Sequence, residues 1–182
     1  MKLLRIGFAC LLFLSIITAL YFWYIVKAKK VDEIRFIEEE NTIHSFQDLV
    51  NHPYLKGKPI YVDFWHTGCS PCLKEFIFIP ALKQQLPNAG KLVFLYLGKD
   101  RSVPGEKIRW KKMIFDKQLK GVHFFMKNEF FEKIWLETVN DPHVFKAFPH
   151  YLLVNKEGKV VNNNAPRPSD KATLRLLTEI NN

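Results

Sequence analysis

Short apolar segments alternate with amphipathic segments over most of the chain, after one long apolar run near the amino terminus. We predict buried strands where the apolar segments are rich in β-branched and aromatic residues, at 60–65, 92–97, 122–126 and 151–154. Capping residues or helical spacing of apolar positions predict helices at about 46–51, 70–86, 108–119, 129–139 and after residue 169. This alternation, closed by a hairpin over 151–161 and a final helix, predicts an α/β fold with a central mixed sheet flanked by helices.

Single residues refine the predicted helices. Ser45 and Asp48 have the spacing of a capping box for the first helix. Pro80 lies inside the second helix, where it removes a backbone hydrogen bond, so we expect a kink or a break there. Ser169 is the predicted N-cap of the last helix. The inward faces of the last two helices should carry Phe130, Ile134 and Trp135, and then Leu174, Leu177 and Ile180.

The long apolar run covers residues 6–26 and contains no charged side chain. As a helix it would span about 31 Å, close to the hydrocarbon thickness of a bilayer. We predict an uncleaved membrane anchor within residues 1–30, followed by a juxtamembrane linker or first strand at 31–44 and a domain at 45–182. A cleaved signal peptide is the alternative, but it would have a shorter apolar core and small residues at a cleavage site. Basic residues flank both ends, so their count gives no orientation.

Composition and charge exclude several classes of protein. The chain has 182 residues, 48% of them hydrophobic, which is too apolar for a disordered protein. Its 3 Cys are too few for a disulfide-stapled scaffold. Five of the 27 basic residues lie in 1–30, so 22 basic residues oppose 18 acidic ones in the remainder. The net charge of +9 therefore does not indicate nucleic-acid binding, and the basic cluster at 107–112 is interpreted as a solvated helix face.

The segment Cys69–Cys72 carries the clearest chemical signal. It follows the strand 60–65 and opens a helix, where free backbone N–H groups and the helix dipole favour a thiolate. Pro71 fits this position because the first helical turn needs no N–H donor. We expect Cys69 to be the exposed nucleophile and Cys72 the deeper, resolving thiol. A structural disulfide remains an alternative, as does half of a zinc site completed by histidines such as His44, His52 and His66.

Asp63 lies inside the apolar strand 60–65, six residues before Cys69. A buried carboxyl group without a cationic partner is costly to ionise, so its pKa is raised. Such a group suits a proton acceptor for the buried thiol of Cys72. The alternative is a hydrated carboxylate at the end of the strand.

The residues Asp63, Trp65 and Cys69–Cys72 have the mutual spacing found in the active-site strand and loop of thioredoxins, which this region resembles. Phe148-Pro149 followed by the strand 151–154 is similar to the cis-proline loop of that family. The resemblance implies that Pro149 is cis and packs beside the cysteines, with the Phe148 backbone pairing with an extended substrate. It also implies that Trp65 and Pro71 contribute to the substrate-binding surface.

The predicted anchor, the long segment before Pro149 and the segment 165–169 together resemble the TlpA-like branch of bacterial thiol–disulfide oxidoreductases. This resemblance implies a thioredoxin-like fold with an N-terminal transmembrane helix, tethered as a monomer to the bacterial cytoplasmic membrane and facing the periplasm. The implied activity is reduction of disulfides in extracytoplasmic proteins by the Cys69/Cys72 dithiol, without cofactor or metal. A membrane-embedded thiol carrier would supply the electrons.

Alternative functions remain open, and the sequence departs from the family pattern at several positions. A disulfide oxidase or isomerase of the same fold is the nearest alternative activity, and a copper carrier or redox-inert scaffold is the alternative from another class. Gly68 stands immediately before Cys69, where many members of the family have Trp. His150 follows the proline in place of a hydroxyl residue, and Pro80 comes about one helical turn later than the usual helix proline.

Overall fold

The computed structural model describes residues 17–18, 34–38, 42–87, 91–139, 141 and 145–181. A compact unit of the chain begins at Ile34 and extends to the carboxyl terminus. The predicted anchor at 6–26 lies outside the described residues, apart from the helical residues 17 and 18. Within the described part of the chain, no helix combines the length and the hydropathy needed to span a membrane.

Six strands form one sheet, and six helices pack around it in the described residues. The strands are β1 (Ile34–Ile37), β2 (Ile60–Trp65), β3 (Val93–Lys99), β4 (Gly121–Met126), β5 (His150–Val154) and β6 (Val160–Asn162). The helices are α1 (Phe46–Val50), α2 (Ser70–Glu75), α3 (Ile79–Gln85), α4 (Glu106–Asp116), α5 (Asn128–Thr138) and α6 (Lys171–Asn181). The strand order is β1-β4-β3-β2-β5-β6. The first four strands in this order are parallel to one another. Strand β5 pairs antiparallel with β2, and β6 pairs antiparallel with β5, which confirms the predicted mixed sheet.

The sheet begins earlier in the chain than the predicted domain boundary at residue 45. Strand β1 lies within the segment 31–44, which we predict as a linker or first strand. It pairs in parallel with β4, with Ile34 opposite Gly121. A positive φ of 144° at Gly121 and a backbone oxygen 2.5 Å from the place of its missing β-carbon explain why glycine begins β4.

Two local predictions for the helices are confirmed. The Asp48 N–H donates to Ser45 Oγ at 3.0 Å, and the His44 N–H donates to an Asp48 carboxylate oxygen at 3.0 Å, so α1 is capped as predicted. The predicted helix at 70–86 is broken before Pro80, where a 3-10 turn over Phe76–Phe78 separates α2 from α3. Pro80 is the second residue of α3. Backbone N–H groups at this position have no acceptor within the helix, so proline breaks no helical hydrogen bond there.

One other local prediction is wrong, and one is confirmed. Ser169 does not cap α6, because its N–H and hydroxyl donate to the Glu75 carboxylate, both at 3.0 Å. The Asp170 carboxylate takes the capping position and accepts from the Ala172 N–H at 2.8 Å. In α5 the predicted inward residues Ile134 and Trp135 are buried and Phe130 packs half-buried against the same core, which also contains Phe131.

The two faces of the sheet are covered by different helices, because side chains alternate between the faces along each strand. One face packs an aliphatic cluster that includes Val62, Leu95, Leu97 and Leu152 against residues of α1 and α5. The other face packs Tyr61, Trp65, Tyr96 and Tyr151 against residues of α2, α3, α4 and α6. Both cysteines of the 69–72 segment belong to this second cluster, which therefore contains the candidate site.

Candidate active site

Cys69 and Cys72 form a disulfide at the amino-terminal end of α2, with their Cα atoms 5.3 Å apart. Cys69 is the N-cap residue, and its Sγ accepts a hydrogen bond from the Cys72 N–H at 3.1 Å. A helix terminus that donates to this sulfur stabilises negative charge on it. Cys69 is 4% exposed and Cys72 is 0% exposed, so the prediction of an exposed Cys69 is wrong for the disulfide form, although Cys69 is the more accessible of the two.

The loop between β2 and α2 holds Cys69 through its own backbone and through His66. The Cys69 N–H donates to the His66 carbonyl oxygen at 3.0 Å, and the Gly68 N–H donates to His66 Nδ1 at 3.2 Å. The ring of His66 packs edge-on against the ring of Phe148, with centroids 4.9 Å apart. His66 therefore connects the cysteine loop to the segment that precedes Pro149.

The Phe148-Pro149 peptide bond is cis, as the resemblance to thioredoxins implies. Phe148 is half-buried and belongs to the edges of both core clusters, including the one that contains the cysteines. Pro149 is buried and lines a shallow cavity of about 230 Å³ together with residues such as Phe145, Ala147 and Arg167. This cavity opens beside the loop that should receive an extended substrate.

Trp65 and Pro71 lie in different environments. Pro71 is exposed in the first turn of α2, where a substrate can reach it. Trp65 is 0% exposed, and its ring packs edge-on against Phe76 with centroids 5.1 Å apart. The prediction that Trp65 contacts substrate is therefore wrong in this structure. Trp65 supports α2 from within the core, because it extends from the last position of a strand that is buried on both faces.

Asp63 lies on the same face of the sheet as the cysteine cluster, and it is 2% exposed. Neither carboxylate oxygen has a hydrogen-bond partner among the described residues. Burial raises the pKa of Asp63 well above its usual value, and the nearby charge of Glu75 raises it further. The alternative of a hydrated carboxylate at a strand end is therefore excluded, and Asp63 is suited to accept a proton.

Glu75 is a member of the site that our sequence analysis did not identify. It is 7% exposed in α2, three residues after Cys72, so it shares a helical face with that cysteine. Its two oxygens accept hydrogen bonds from the N–H and the hydroxyl of Ser169. The sequence offers one signal for Glu75, which is a charged side chain one helical turn after Cys72. The other signal, its bond to Ser169, joins residues 94 positions apart.

Two stacked tyrosines border Asp63 on β2 and β5. Tyr151 is paired directly with Asp63 across the antiparallel strands, and its ring stacks on Tyr61 with centroids 5.2 Å apart. The Tyr61 hydroxyl donates to the Pro166 carbonyl oxygen at 2.6 Å. Burial, and then the charge of Asp63, raises the pKa of both phenols far above the physiological range. Both therefore remain neutral and add no negative charge beside Asp63.

The zinc alternative has no support among the described residues. They contain no group of three or more His, Cys, Asp or Glu side chains placed to hold a metal ion. His66, the histidine nearest to Cys69 in the chain, packs against Phe148 and accepts from Gly68. Its pKa is lowered, first by burial and then by the charges of Arg101 and Lys99.

Comparison with known proteins places this arrangement in a family. The Redoxin family profile matches residues 33–176. Thiol-disulfide oxidoreductase ResA of Bacillus subtilis is 30% identical over 112 residues, which cover 59% of this chain and 52% of ResA. The chain therefore spans about half the length of this curated relative.

Two solved structures from Bacteroides vulgatus have similar folds. One is a protein assigned as a thiol-disulfide oxidoreductase, at a TM-score of 0.55 and 30% identity over 69% of this chain and 74% of that chain. The other is the thioredoxin domain of a thiol-disulfide oxidoreductase, at a TM-score of 0.54 and 26% identity over 70% of this chain and 81% of that chain. These likenesses support a thioredoxin-like fold. With a family match over most of its length and a cysteine pair at the head of α2, the chain belongs to the Redoxin family and has a thioredoxin-like fold.

Proposed function

We propose that this protein reduces disulfides in extracytoplasmic proteins, while residues 6–26 anchor it to the bacterial cytoplasmic membrane. The observation that carries the redox part is the Cys69–Cys72 disulfide at a helix terminus, in the cluster that packs on the same face of the sheet as the buried carboxyl group of Asp63. The uncharged run at 6–26 supports the anchor, and the resemblance to TlpA-like proteins supports the extracytoplasmic side.

The first step of the proposed reaction is attack by the Cys69 thiolate on one sulfur of a substrate disulfide. A Cys69–substrate disulfide forms, the substrate S–S bond breaks, and the departing substrate sulfur takes up a proton as a thiol. The Cys72 N–H that donates to Cys69 Sγ stabilises the attacking thiolate. Cys69 is the attacking residue because it is nearer to solvent than Cys72.

The second step releases the substrate. Cys72 loses its proton to the Asp63 carboxylate and attacks Cys69 Sγ. The Cys69–Cys72 disulfide forms, the Cys69–substrate S–S bond breaks, and the second substrate sulfur leaves as a thiolate that takes up a proton from solvent. Asp63 suits this role because burial raises its pKa, so it accepts a proton more readily than an exposed carboxylate does. A membrane-embedded dithiol carrier then returns two electrons to Cys69–Cys72 and is itself oxidised to a disulfide.

Substrate trapping tests this order of events. In Cys72→Ser, the mixed disulfide through Cys69 cannot be resolved, so substrate proteins should accumulate as covalent adducts that dithiothreitol releases. Cys69→Ser is the matched control and should trap none. If Cys72→Ser yields no thiol-dependent adducts in its native membrane, the proposed catalysis is wrong.

The reduction potential of Cys69–Cys72 separates a reductase from an oxidase of the same fold. We expect a value below about −200 mV by equilibration with glutathione, whereas a value near −120 mV would indicate an oxidant. Insulin reduction by the purified protein should show turnover. Stoichiometric copper binding without thiol turnover would instead favour a carrier.

Asp63→Ala tests the proton transfer. We expect slower resolution of a preformed mixed disulfide and little change in the first attack, both measured by stopped-flow fluorescence of the tryptophans. Equal rates of resolution in Asp63→Ala and the wild-type protein would remove Asp63 from the mechanism.

Protease protection of the full-length protein in spheroplasts and inverted vesicles tests the proposed side of the membrane.

A further inference from the structure

A guanidinium group lies against the backbone next to the nucleophilic cysteine. A β-carbon added at Gly68 would lie 2.8 Å from Arg101 Cζ and 3.0 Å from one of its terminal nitrogens. The Arg101 side chain therefore occupies the space that a side chain at position 68 would need. Gly68 is exposed and directly precedes Cys69, so this cation borders the surface that a substrate must approach.

The loop that carries Arg101 is fixed by several hydrogen bonds. The Ser102 N–H donates to Asp100 Oδ1 at 2.8 Å, and Ser102 has a left-handed backbone with φ of 56°. Asn128 Nδ2 donates to Ser102 Oγ at 2.8 Å, which ties the loop to the start of α5. Arg101 therefore extends from a held turn, and holding it in place costs less entropy when a ligand binds.

Arg101 is exposed, and no carboxylate lies within ion-pair distance of it in the described part of the chain. The Glu106 carboxylate instead accepts from Thr67 Oγ1 and pairs with Arg109 at 3.3 Å. The charge of Arg101 is thus available to a partner outside the protein.

Lys99, the other cation that acts on His66, is directed elsewhere. Its ammonium donates to Asn128 Oδ1 at 2.7 Å and lies over the ring of Phe131. Arg101 is the cation that contacts the cysteine loop itself. A planar guanidinium binds a carboxylate through two parallel hydrogen bonds, which gives it selectivity for acidic side chains.

We propose that Arg101, seated on Gly68, is a specificity residue that binds a carboxylate of the substrate protein beside the cysteine that Cys69 attacks. The substrate class is then a disulfide with Asp or Glu close to the reactive cysteine. This inference rests on the proposed function, since it concerns the substrate of the same site. The inference also explains why glycine stands at position 68. A larger residue would occupy the space of the Arg101 guanidinium.

The experiment compares two disulfide peptides that differ only by Glu or Gln, with this residue placed one to three positions from the reactive cysteine. The reduced full-length protein in detergent should react with the best Glu peptide roughly three to ten times faster than with its Gln counterpart. Salt should diminish this ratio, because the contact is at the surface. Arg101→Gln should bring the ratio to about one, and Arg101→Glu should invert it.

Arg175→Gln is the matched control, because Arg175 is an exposed arginine on α6 that pairs with Glu179. It should retain the wild-type ratio. Equal rates of the wild-type protein on all Glu and Gln peptides would overturn the inference and leave the proposed function intact. A uniform loss of rate on both peptides in Arg101→Gln, with the ratio retained, would also overturn it, because Arg101 would then act on the Cys69 thiolate. Absence of any turnover would overturn both proposals.

Discussion

The two faces of the central sheet use the same strands for different purposes. On one face, aliphatic side chains such as Val62, Leu95 and Leu97 are 0% exposed and form an ordinary core. On the other face, Asp63, Trp65, Tyr151 and His123 are buried with polar atoms that have no hydrogen-bond partner among the described residues. The first face contains a titratable group in contact with its core, His150, whose pKa is lowered by burial, whereas the second face contains several groups with altered pKa values.

This difference shows how one strand can serve both stability and chemistry. Val62 and Asp63 are neighbours in β2, yet the alternation of side chains places them on opposite faces. The unpaired polar groups of the second face cost stability, which the aliphatic face offsets. Substitutions of aliphatic residues on the first face should therefore change stability at every pH, and substitutions of the titratable residues on the second should change its pH dependence.

The largest expected effect is on the aliphatic face. Leu95→Ala should lower the free energy of unfolding by roughly 3–5 kcal/mol, because Leu95 is 0% exposed and its removal leaves a cavity. Urea denaturation at pH 5 and pH 8 should give the same loss, since no titrating group is removed. A loss that differs strongly between the two pH values would contradict the proposed division between the faces.

The next effect concerns His123, which stacks on Tyr96 with centroids 4.7 Å apart. Burial lowers the pKa of His123 to about 3, although its hydrogen bond to Leu119 acts in the opposite direction. Its contribution to stability is complete above the unfolded pKa of about 6.5 and decreases as the pH falls toward the folded value. Between pH 6.5 and 4.5 this amounts to roughly 2–3 kcal/mol.

His123→Phe should therefore lose less stability than the wild-type protein over this range, as measured by urea denaturation at several pH values. His44→Gln is the control, because His44 is exposed. It should retain the wild-type acid dependence. A wild-type dependence in His123→Phe would show that this histidine does not remain neutral in the folded protein.

Asp63→Asn should have a smaller effect of opposite sign. Since burial raises the folded pKa of Asp63, the wild-type protein loses stability as the pH rises from about 3.8 through the folded pKa. Asparagine does not titrate, so the variant should be more stable at pH 8 by about 1–2 kcal/mol and equal near pH 3. Thermal denaturation of the oxidised protein measures this difference, and an equal gain at both pH values would contradict it.

The smallest effect is expected for Glu75→Gln. Removing the Glu75 charge should lower the pKa of Asp63, because that charge raises it. The alkaline loss of stability should then shift to lower pH, while the weaker bonds to Ser169 cost about 1 kcal/mol or less. Glu179→Gln, at an exposed position on α6, is the control. It should leave the midpoint of the alkaline loss of stability at its wild-type pH. No movement of the midpoint in Glu75→Gln would show that the two carboxyl groups do not interact.

The sequence predicted those parts of the site that depend on local spacing. Cys69, Cys72 and Asp63 were identified because an apolar strand leads directly into a helix that begins with a cysteine. The cis Pro149 followed from a resemblance, since local physics favours a trans bond. Trp65 was misassigned because it occupies a strand end that packs against α2, and burial of that end depends on tertiary contacts.

The parts that were missed depend on contacts between distant segments. The local sequence does not single out Glu75, because its partner Ser169 lies 94 residues later. Ser169 was assigned to a cap that Asp170 provides, since both residue types suit that position. Similarly, the contact between the Arg101 side chain and Gly68 joins two loops, and neither sequence segment alone predicts it.

The bond between Ser169 and Glu75 has a consequence for biosynthesis. The chain is made from its amino terminus, so both cysteines leave the ribosome about a hundred residues before Ser169 does. Until then the Glu75 carboxylate lacks both of its donors, and α2 cannot be buried at low cost. The nascent chain therefore exposes its thiol pair without the bonds that hold Glu75, until Ser169 has been made.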